Sequence, residues 1–260
     1  MQYKARDVFC GEDVAIKLLA RLSSPNDHAA LIARLNEWVE AQSRLNHPVL
    51  VRTRQVQEYE GRPVIVSELA EGHKLADWLN AEGPLAPRVM LNVMRQLLGL
   101  LACAHGAGLA HGNLRMSDVL VCGDGQLRVV NLGLAYALGR VIRADIQGDL
   151  RAAGRLLFTM LHQVARAGNA DSLRYAPVLE AMGVAAARAI TPASPSGYPS
   201  AAAFWRALRC AADLDAGMTS LRRKTAPQGA ATAHIPTLTV RANADGSTSS
   251  SPPVMPTWIE

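Results

Sequence analysis

The chain has 260 residues, of which 49% are apolar and 19% charged, a composition that excludes a fibrous or wholly disordered protein and is enough for two lobes with a core. Its formal net charge of +5 is spread along the chain without basic runs interleaved with aromatic residues, so a nucleic-acid-binding groove is not indicated. The four cysteines form no CxxC pair and have no histidine at zinc spacing, which argues against a disulfide framework and a structural metal site. No signal peptide or membrane span is recognised, and we expect a cytoplasmic protein.

The first 72 residues have the pattern of a small sheet with one helix. Two β-prone runs, 2–8 and 12–20, flank a glycine-containing turn and predict a hairpin. Apolar residues then recur at helical spacing over residues 27–45. Residues 49–59 and 63–68 flank a Glu-Gly-Arg turn and predict a second hairpin.

From residue 73 the pattern turns helical. Residues 90–105 are apolar nearly all round, as in a central buried helix, and further helices are predicted over 149–161 and 199–212. We therefore divide the chain into an N-lobe (1–72), a mainly helical C-lobe (73–214) and a tail (215–260).

The tail is rich in Ser, Thr, Pro and Ala, and its composition predicts disorder. Residues 234–240 alternate like a strand that could add to a partner's sheet edge, and residues 221–225 place basic residues before a threonine, as at a site for a basophilic kinase. Residues 256–260 form an apolar end that could dock on a partner or on the domain itself. Chance patterning in an unstructured tail is the favoured interpretation of these features.

The most informative stretch runs from residue 111 to residue 135. It reads His-Gly-Asn-Leu-Arg-Met-Ser-Asp, a short run around Gly-Asp-Gly, and then Asn-Leu-Gly at 131–133. This order resembles the catalytic core of a protein kinase, where an HRDLKxxN loop, a hairpin and a DFG motif follow one another.

Other motifs resemble the same family in the same order. They are Val-Ala-Ile-Lys at 14–17, Leu-Asn-His-Pro at 45–48, a hinge-like Ser-Glu-Leu-Ala-Glu-Gly at 67–72, Gly-Asp at 148–149 and Gly-Tyr-Pro-Ser-Ala at 197–201. The resemblance covers residues 2–212 and is to bacterial serine/threonine kinases. It implies an α+β, two-lobed kinase-like fold, with a truncated N-lobe sheet because the chain begins inside the family's second strand, after the glycine-rich loop.

The reactive positions of the family are altered. Asn113 and Arg115 stand where the family keeps its catalytic Asp and Lys, and an amide cannot accept a proton as a carboxylate does. Asn131 replaces the metal-binding Asp with a neutral amide, while Asp118 puts a carboxylate where the family has an Asn. The resemblance thus implies degenerate catalytic positions at Asn113 and Arg115, and at most weak binding of Mg²⁺ or Mn²⁺ by Asp118 and Asn131.

Some nucleotide-binding positions remain. By resemblance, Lys17 would contact phosphate, Ala15 and Leu120 would flank adenine, and Glu68 and Ala70 would lie at the hinge, which implies at most weak binding of ATP. The family pairs this lysine with a helix glutamate. The family's spacing, counted back from residue 47, puts that glutamate position at Trp38, and Glu37 lies one residue away on another face of the helix. We therefore expect no ion pair, and a solvated Lys17 is the alternative to a phosphate contact.

The substrate platform is also reduced. Residues 134–148 are too few for a full activation segment, and Gly197 stands where the family has the arginine that bonds the APE glutamate. The packing positions are kept, since the family uses the equivalents of His111 under the DFG side chain, here Leu132, and of Asp149 to hold the catalytic loop.

These substitutions predict a pseudokinase that acts as a scaffold or regulator in phospho-signalling. The expected partners are proteins, with an active kinase among the candidates, and neither nucleic acid nor a membrane. Two alternatives stay open: a weakly active or ATP-binding serine/threonine kinase of altered chemistry, and a structural binding module that takes no nucleotide.

Overall fold

The computed structural model describes residues 2–8, 10–141, 145–167, 175–191, 197–213 and 237–240. They form a two-lobed α+β fold in which a sheet and one helix precede a mainly helical lobe, as the sequence predicts. The tail features at 221–225 and 256–260 lie outside the described residues.

The N-lobe sheet contains five strands in the order β3-β4-β2-β1-β8. The two predicted hairpins form β1 (Gln2–Asp7) with β2 (Asp13–Leu18) and β3 (Thr53–Tyr59) with β4 (Arg62–Glu68), and β2 pairs antiparallel with β4 between them. Valine and isoleucine on β2 and β4 bury one face of this sheet.

The fifth strand comes from the segment that we assign to the tail. Strand β8 (Thr237–Val240) pairs parallel with β1, with Thr237 opposite Lys4 and Val240 opposite Asp7. The alternating pattern at 234–240 therefore forms a strand over four residues, and it adds to the sheet of its own chain.

Helix α1 (Pro25–Ser43) crosses the sheet and begins two residues before the predicted start. Ser24 explains the difference, because its Oγ accepts a hydrogen bond from the Asp27 amide at 3.3 Å and caps the helix ahead of Pro25. Its inward face buries Leu31, Leu35 and Trp38.

The C-lobe contains α2 (Leu75–Glu82), α3 (Pro87–Gly106), α5 (Ile146–Ala167), α6 (Ala176–Ile190) and α7 (Ala201–Asp213). By length and composition alone, helix α3 is apolar enough to cross a membrane. Its side chains instead pack in the C-lobe core, as the all-round apolar pattern predicts. Helix α6, whose alanine-rich sequence gives a weak apolar periodicity, is missed by the sequence analysis.

Between α3 and α5 lies the irregular region that carries the candidate site. A 3₁₀ turn (Met116–Asp118) leads into the hairpin of β6 (Val119–Val121) and β7 (Leu127–Val129), and the short helix α4 (Leu134–Ala137) follows the Asn-Leu-Gly. Strand β5 (His73–Lys74) pairs with β6. The lobes are joined here, because the Val129 amide donates to the Val49 carbonyl at 2.7 Å and the Val51 amide to the Val129 carbonyl at 3.0 Å.

Candidate functional site

Asp149 anchors the loop that begins at His111. Its carboxylate accepts hydrogen bonds from the backbone amides of His111 at 2.7 Å and Gly112 at 2.9 Å, and Nε2 of His105 lies 3.0 Å away. Only 1% of Asp149 is exposed. A buried carboxylate that accepts backbone N–H bonds is an anchor of the loop, which is the role that the resemblance implies.

His111 is a packing residue in the same cluster. Its Nε2 donates to the Val130 carbonyl at 3.1 Å, and the residue is buried beneath the Asn-Leu-Gly turn. Burial lowers the pKa of His111, and the carboxylates of Asp149 and Asp118 oppose that shift. The imidazole therefore favours its neutral form.

Asn113 and Arg115, the altered catalytic positions, contact each other. Nε of Arg115 donates to the Asn113 amide oxygen at 3.2 Å, and both residues are exposed. The Arg115 backbone amide also donates to Oδ2 of Asp118 at 3.1 Å. Neither Asn113 nor Arg115 carries a carboxylate, so neither side chain can act as the general base that the family places in this loop.

Lys17, Asn131 and Asp118 form one hydrogen-bonded chain, which we call the Lys-Asn-Asp chain. Nζ of Lys17 donates to Oδ1 of Asn131, and Nδ2 of Asn131 donates to Oδ1 of Asp118 at 2.8 Å. Asn131 has a φ of 63°, a left-handed conformation that asparagine adopts more readily than most residues. Burial lowers the pKa of Lys17, and the carboxylate of Asp118 opposes the shift.

Asp118 and Asn131 are the residues that would hold the divalent cation that the resemblance implies. Asp118 is the one carboxylate of the pair, and its two oxygens accept from Asn131 and from the Arg115 amide, while the Asn131 oxygen accepts from Lys17. Within the described residues, no group of three or more His, Cys, Asp and Glu side chains could hold a metal ion. Mg²⁺ keeps several waters and is held through one or two carboxylates together with substrate phosphates, so one carboxylate and one amide oxygen would give it at most a weak site.

The predicted adenine-flanking and hinge residues lie on three elements around the lobe junction. Ala15 is buried on β2, and its carbonyl accepts from Oγ of Ser67 at 3.4 Å. Glu68 ends β4 and its carboxylate accepts from the Arg52 amide at 3.3 Å. Ala70 and Leu120 are half-buried, on the connection after β4 and on β6. Their role in binding ATP stays a prediction.

Trp38 and Gln42 contact the candidate site in a way that the sequence analysis did not predict. Nε1 of Trp38 donates to the Leu132 carbonyl at 2.7 Å, and Nε2 of Gln42 donates to the same oxygen at 3.2 Å. Glu37 lies exposed on α1, and Lys17 bonds Asn131 instead. A glutamine four residues after a buried tryptophan, on the same helix face, is the signal that could have drawn attention to this pair.

Tyr136 was also missed. Its ring packs on the loop at Gly112, where an added Cβ atom would lie 2.8 Å from Cε2 of the ring. Its hydroxyl accepts from the Asp145 amide at 2.9 Å.

Comparison with known proteins gives consistent matches. A family model described as "Protein kinase domain" matches residues 2–149. A probable serine/threonine-protein kinase PknB of Lactococcus lactis is 31% identical over 61% of this chain and 29% of its own length. The serine/threonine-protein kinase PrkC of Bacillus subtilis is 33% identical over 52% of this chain and 21% of its own.

Solved structures share the fold. The crystal structure of Rad53 1-466 in complex with AMP-PNP matches with a TM-score of 0.58 and 18% identity, over 76% of this chain and 58% of that one. The chain spans less than a third of the length of the two bacterial relatives above.

Proposed function

The chain belongs to the protein kinase family, with bacterial serine/threonine kinases among its relatives, and on that premise we propose that it is a pseudokinase. In this proposal phosphoryl transfer is absent or strongly impaired. The domain acts in the cytoplasm as a scaffold or regulator in phospho-signalling, through protein partners, with an active kinase as the first candidate.

The Lys-Asn-Asp chain carries the proposal. Phosphoryl transfer asks a kinase to position ATP, to hold metal ions and to orient the nucleophile, and Lys17, Asn131 and Asp118 stand at positions for the first two tasks. These three side chains bond each other, and a metal ion that took Asp118 and Asn131 as ligands would replace those hydrogen bonds.

The third task lacks its reactive group. Asn113 donates and accepts hydrogen bonds but cannot take up a proton at neutral pH, and its oxygen already accepts from Arg115. Loss of a general base lowers rates by about 10²- to 10⁴-fold. The short segment after Gly133 supports the same conclusion, because α4 and Tyr136 pack directly on α1 and on the loop.

A phosphoryl-transfer assay tests the proposal. Purified full-length protein is incubated with labelled ATP, Mg²⁺ or Mn²⁺ and a generic protein substrate, beside the Lys17→Met variant as the matched background. We expect wild type and variant to give the same background. Incorporation that is well above background and depends on Lys17 would sink the pseudokinase proposal.

The retained lysine and the carboxylate of Asp118 favour one second candidate, a domain that binds ATP in an altered pose. A thermal-shift scan with ATP, with and without Mg²⁺ or Mn²⁺, separates it from a module that takes no nucleotide. A ligand present at one hundred times its Kd stabilises a protein by about 2.7 kcal/mol, which such a scan detects. No shift under any condition removes the ATP-binding candidate, and a stable complex with a protein partner then supports the binding module.

A further inference from the structure

We propose that helix α1 is clamped to residues 132–137 by a stripe of neutral and cationic donors aimed at backbone carbonyls, so that its position depends neither on Lys17 nor on nucleotide. The stripe consists of Arg34, Trp38 and Gln42, and we call it the carbonyl clamp. The inference goes beyond the proposed function, since it concerns conformational control.

The three residues are spaced four apart and lie on successive turns of one face of α1. Nε of Arg34 donates to the Ala137 carbonyl at 3.2 Å, while Trp38 and Gln42 share the Leu132 carbonyl at 2.7 and 3.2 Å. One helix face thus binds both ends of the segment 132–137.

The central part of the clamp is buried and fully engaged. Trp38 is 7% exposed and Gln42 is 2% exposed. Oε1 of Gln42 accepts from the Thr53 amide at 2.7 Å, so the same side chain also ties α1 to β3. Such a buried hydrogen bond contributes on the order of 1 to 1.5 kcal/mol. Its removal should therefore shift the equilibrium between the closed and the locally opened α1 by about ten-fold toward the open form.

Gly133 is what allows Trp38 to approach the turn. A Cβ atom there would lie 3.0 Å from Nε1 of Trp38, and the backbone φ of 77° favours glycine. The Gly133 amide donates to the His111 carbonyl at 3.2 Å, so the clamp reaches the loop that Asp149 anchors.

The clamp is separate from Lys17. The lysine bonds the Asn131 side chain, whereas the clamp binds main-chain oxygens, which do not titrate. A phosphate that captured Lys17 would therefore not release α1. We infer that the domain holds one arrangement of α1 and presents it constantly to partners.

Amide hydrogen exchange of the full-length protein tests the clamp. Trp38→Phe keeps an aromatic ring and removes the donor, and we expect exchange of the protected amides of α1 and of residues 134–138 to rise about ten-fold. Trp78→Phe, a half-buried tryptophan of α2, is the matched control and should leave α1 unchanged. Lys17→Met, and millimolar ATP with Mg²⁺ added to wild type, should also leave α1 unchanged.

The proposal is overturned if Trp38→Phe exchanges like wild type in α1, if Lys17→Met loosens α1 as much as Trp38→Phe does, or if ATP with Mg²⁺ slows exchange there. If Trp38→Phe does not fold, Gln42→Leu provides the same comparison, with amide exchange expected to rise a few-fold in α1 and at the Thr53 amide.

The phosphoryl-transfer assay gives a separate result. If wild type is active and Trp38→Phe shows faster exchange in α1, the pseudokinase proposal fails and the clamp is still supported.

Discussion

Two regions of the candidate site are built differently. Around Asp149 and His111, buried groups hold the main chain through carboxylate and carbonyl acceptors. Around Lys17, Asn131 and Asp118, side chains that resemble those of a phosphoryl-transfer site bond each other. The difference teaches that hydrogen bonds to the backbone preserve a fold while the reactive positions change their chemistry.

The anchor region should give the largest effect when it is broken. Asp149→Ala leaves the amides of His111 and Gly112 without their acceptor in a buried place, and we expect a loss of about 3–5 kcal/mol in the free energy of unfolding. Urea denaturation measures it. Asp145→Ala is the control: this half-exposed carboxylate caps the same helix through the Gly148 amide, and its loss should cost about 1 kcal/mol. Equal losses would contradict the anchor.

The packing of Tyr136 on the loop gives the next effect. Gly112→Ala and Gly108→Ala both place a side chain at positive φ, 78° and 75°, but only the first meets a ring, at 2.8 Å. The conformational cost of about 1 kcal/mol is shared, and the clash should add about 1–3 kcal/mol for Gly112. Thermal or urea unfolding compares the two variants. If the two variants lose the same stability, the Tyr136 ring does not pack tightly on the loop at Gly112.

The buried His111 should make the protein less stable in acid. Burial lowers the pKa of His111 below its ordinary value near 6.5, so the unfolded chain binds more protons than the folded one just below that pH. Stability is therefore full above pH about 6.5 and falls as the pH drops from there toward the lowered folded-state pKa.

The His111→Gln variant isolates this contribution, because an amide can still donate to the Val130 carbonyl and does not titrate. We expect its free energy of unfolding to fall less steeply between pH 7 and pH 5, by up to about 1.4 kcal/mol per pH unit. His47, whose pKa is also lowered by burial, adds to the slope in both proteins and serves as a second variant. Parallel curves for wild type and His111→Gln would show that His111 does not carry the acid sensitivity.

The Lys-Asn-Asp chain should give the smallest change in stability. Lys17→Met removes an ammonium whose pKa is lowered by burial, which offsets the loss of its bond to Asn131. We expect the free energy of unfolding to change by less than about 1 kcal/mol in either direction. A loss comparable to that of Asp149→Ala would show that this chain is a structural anchor as well.

Sequence reasoning predicts the fold well because its motifs are collinear and each marks a local element. The hairpins, α1 and the buried α3 follow from turn residues and apolar spacing, and Asp149 and His111 have the anchoring and packing positions expected of them. Helix α6 escapes because alanines give little contrast between its faces. Strand β8 was read in the sequence as a strand pattern, but its pairing with β1 depends on a contact across more than 230 residues.

The sequence predicts which residue types stand in the site, but it does not predict which of them are hydrogen-bonded to each other. The substitutions at Asn113, Asn131 and Asp118 can be read from the motif, whereas the pairing of Arg115 with Asn113 and of Lys17 with Asn131 requires the tertiary geometry. Trp38 is a more instructive case. The sequence analysis notes this position only because the glutamate of the family is missing there. In the structure its indole N–H donates to the Leu132 carbonyl.

The central claim is that Lys17, Asn131 and Asp118 bond each other and so leave no strong site for a nucleotide with its metal. Calorimetric titration of the full-length protein with ATP and Mg²⁺ tests it most directly. The account predicts no saturable binding up to millimolar nucleotide, for wild type and for Lys17→Met alike. Saturable, Mg²⁺-dependent binding by wild type that is lost in Lys17→Met would contradict it.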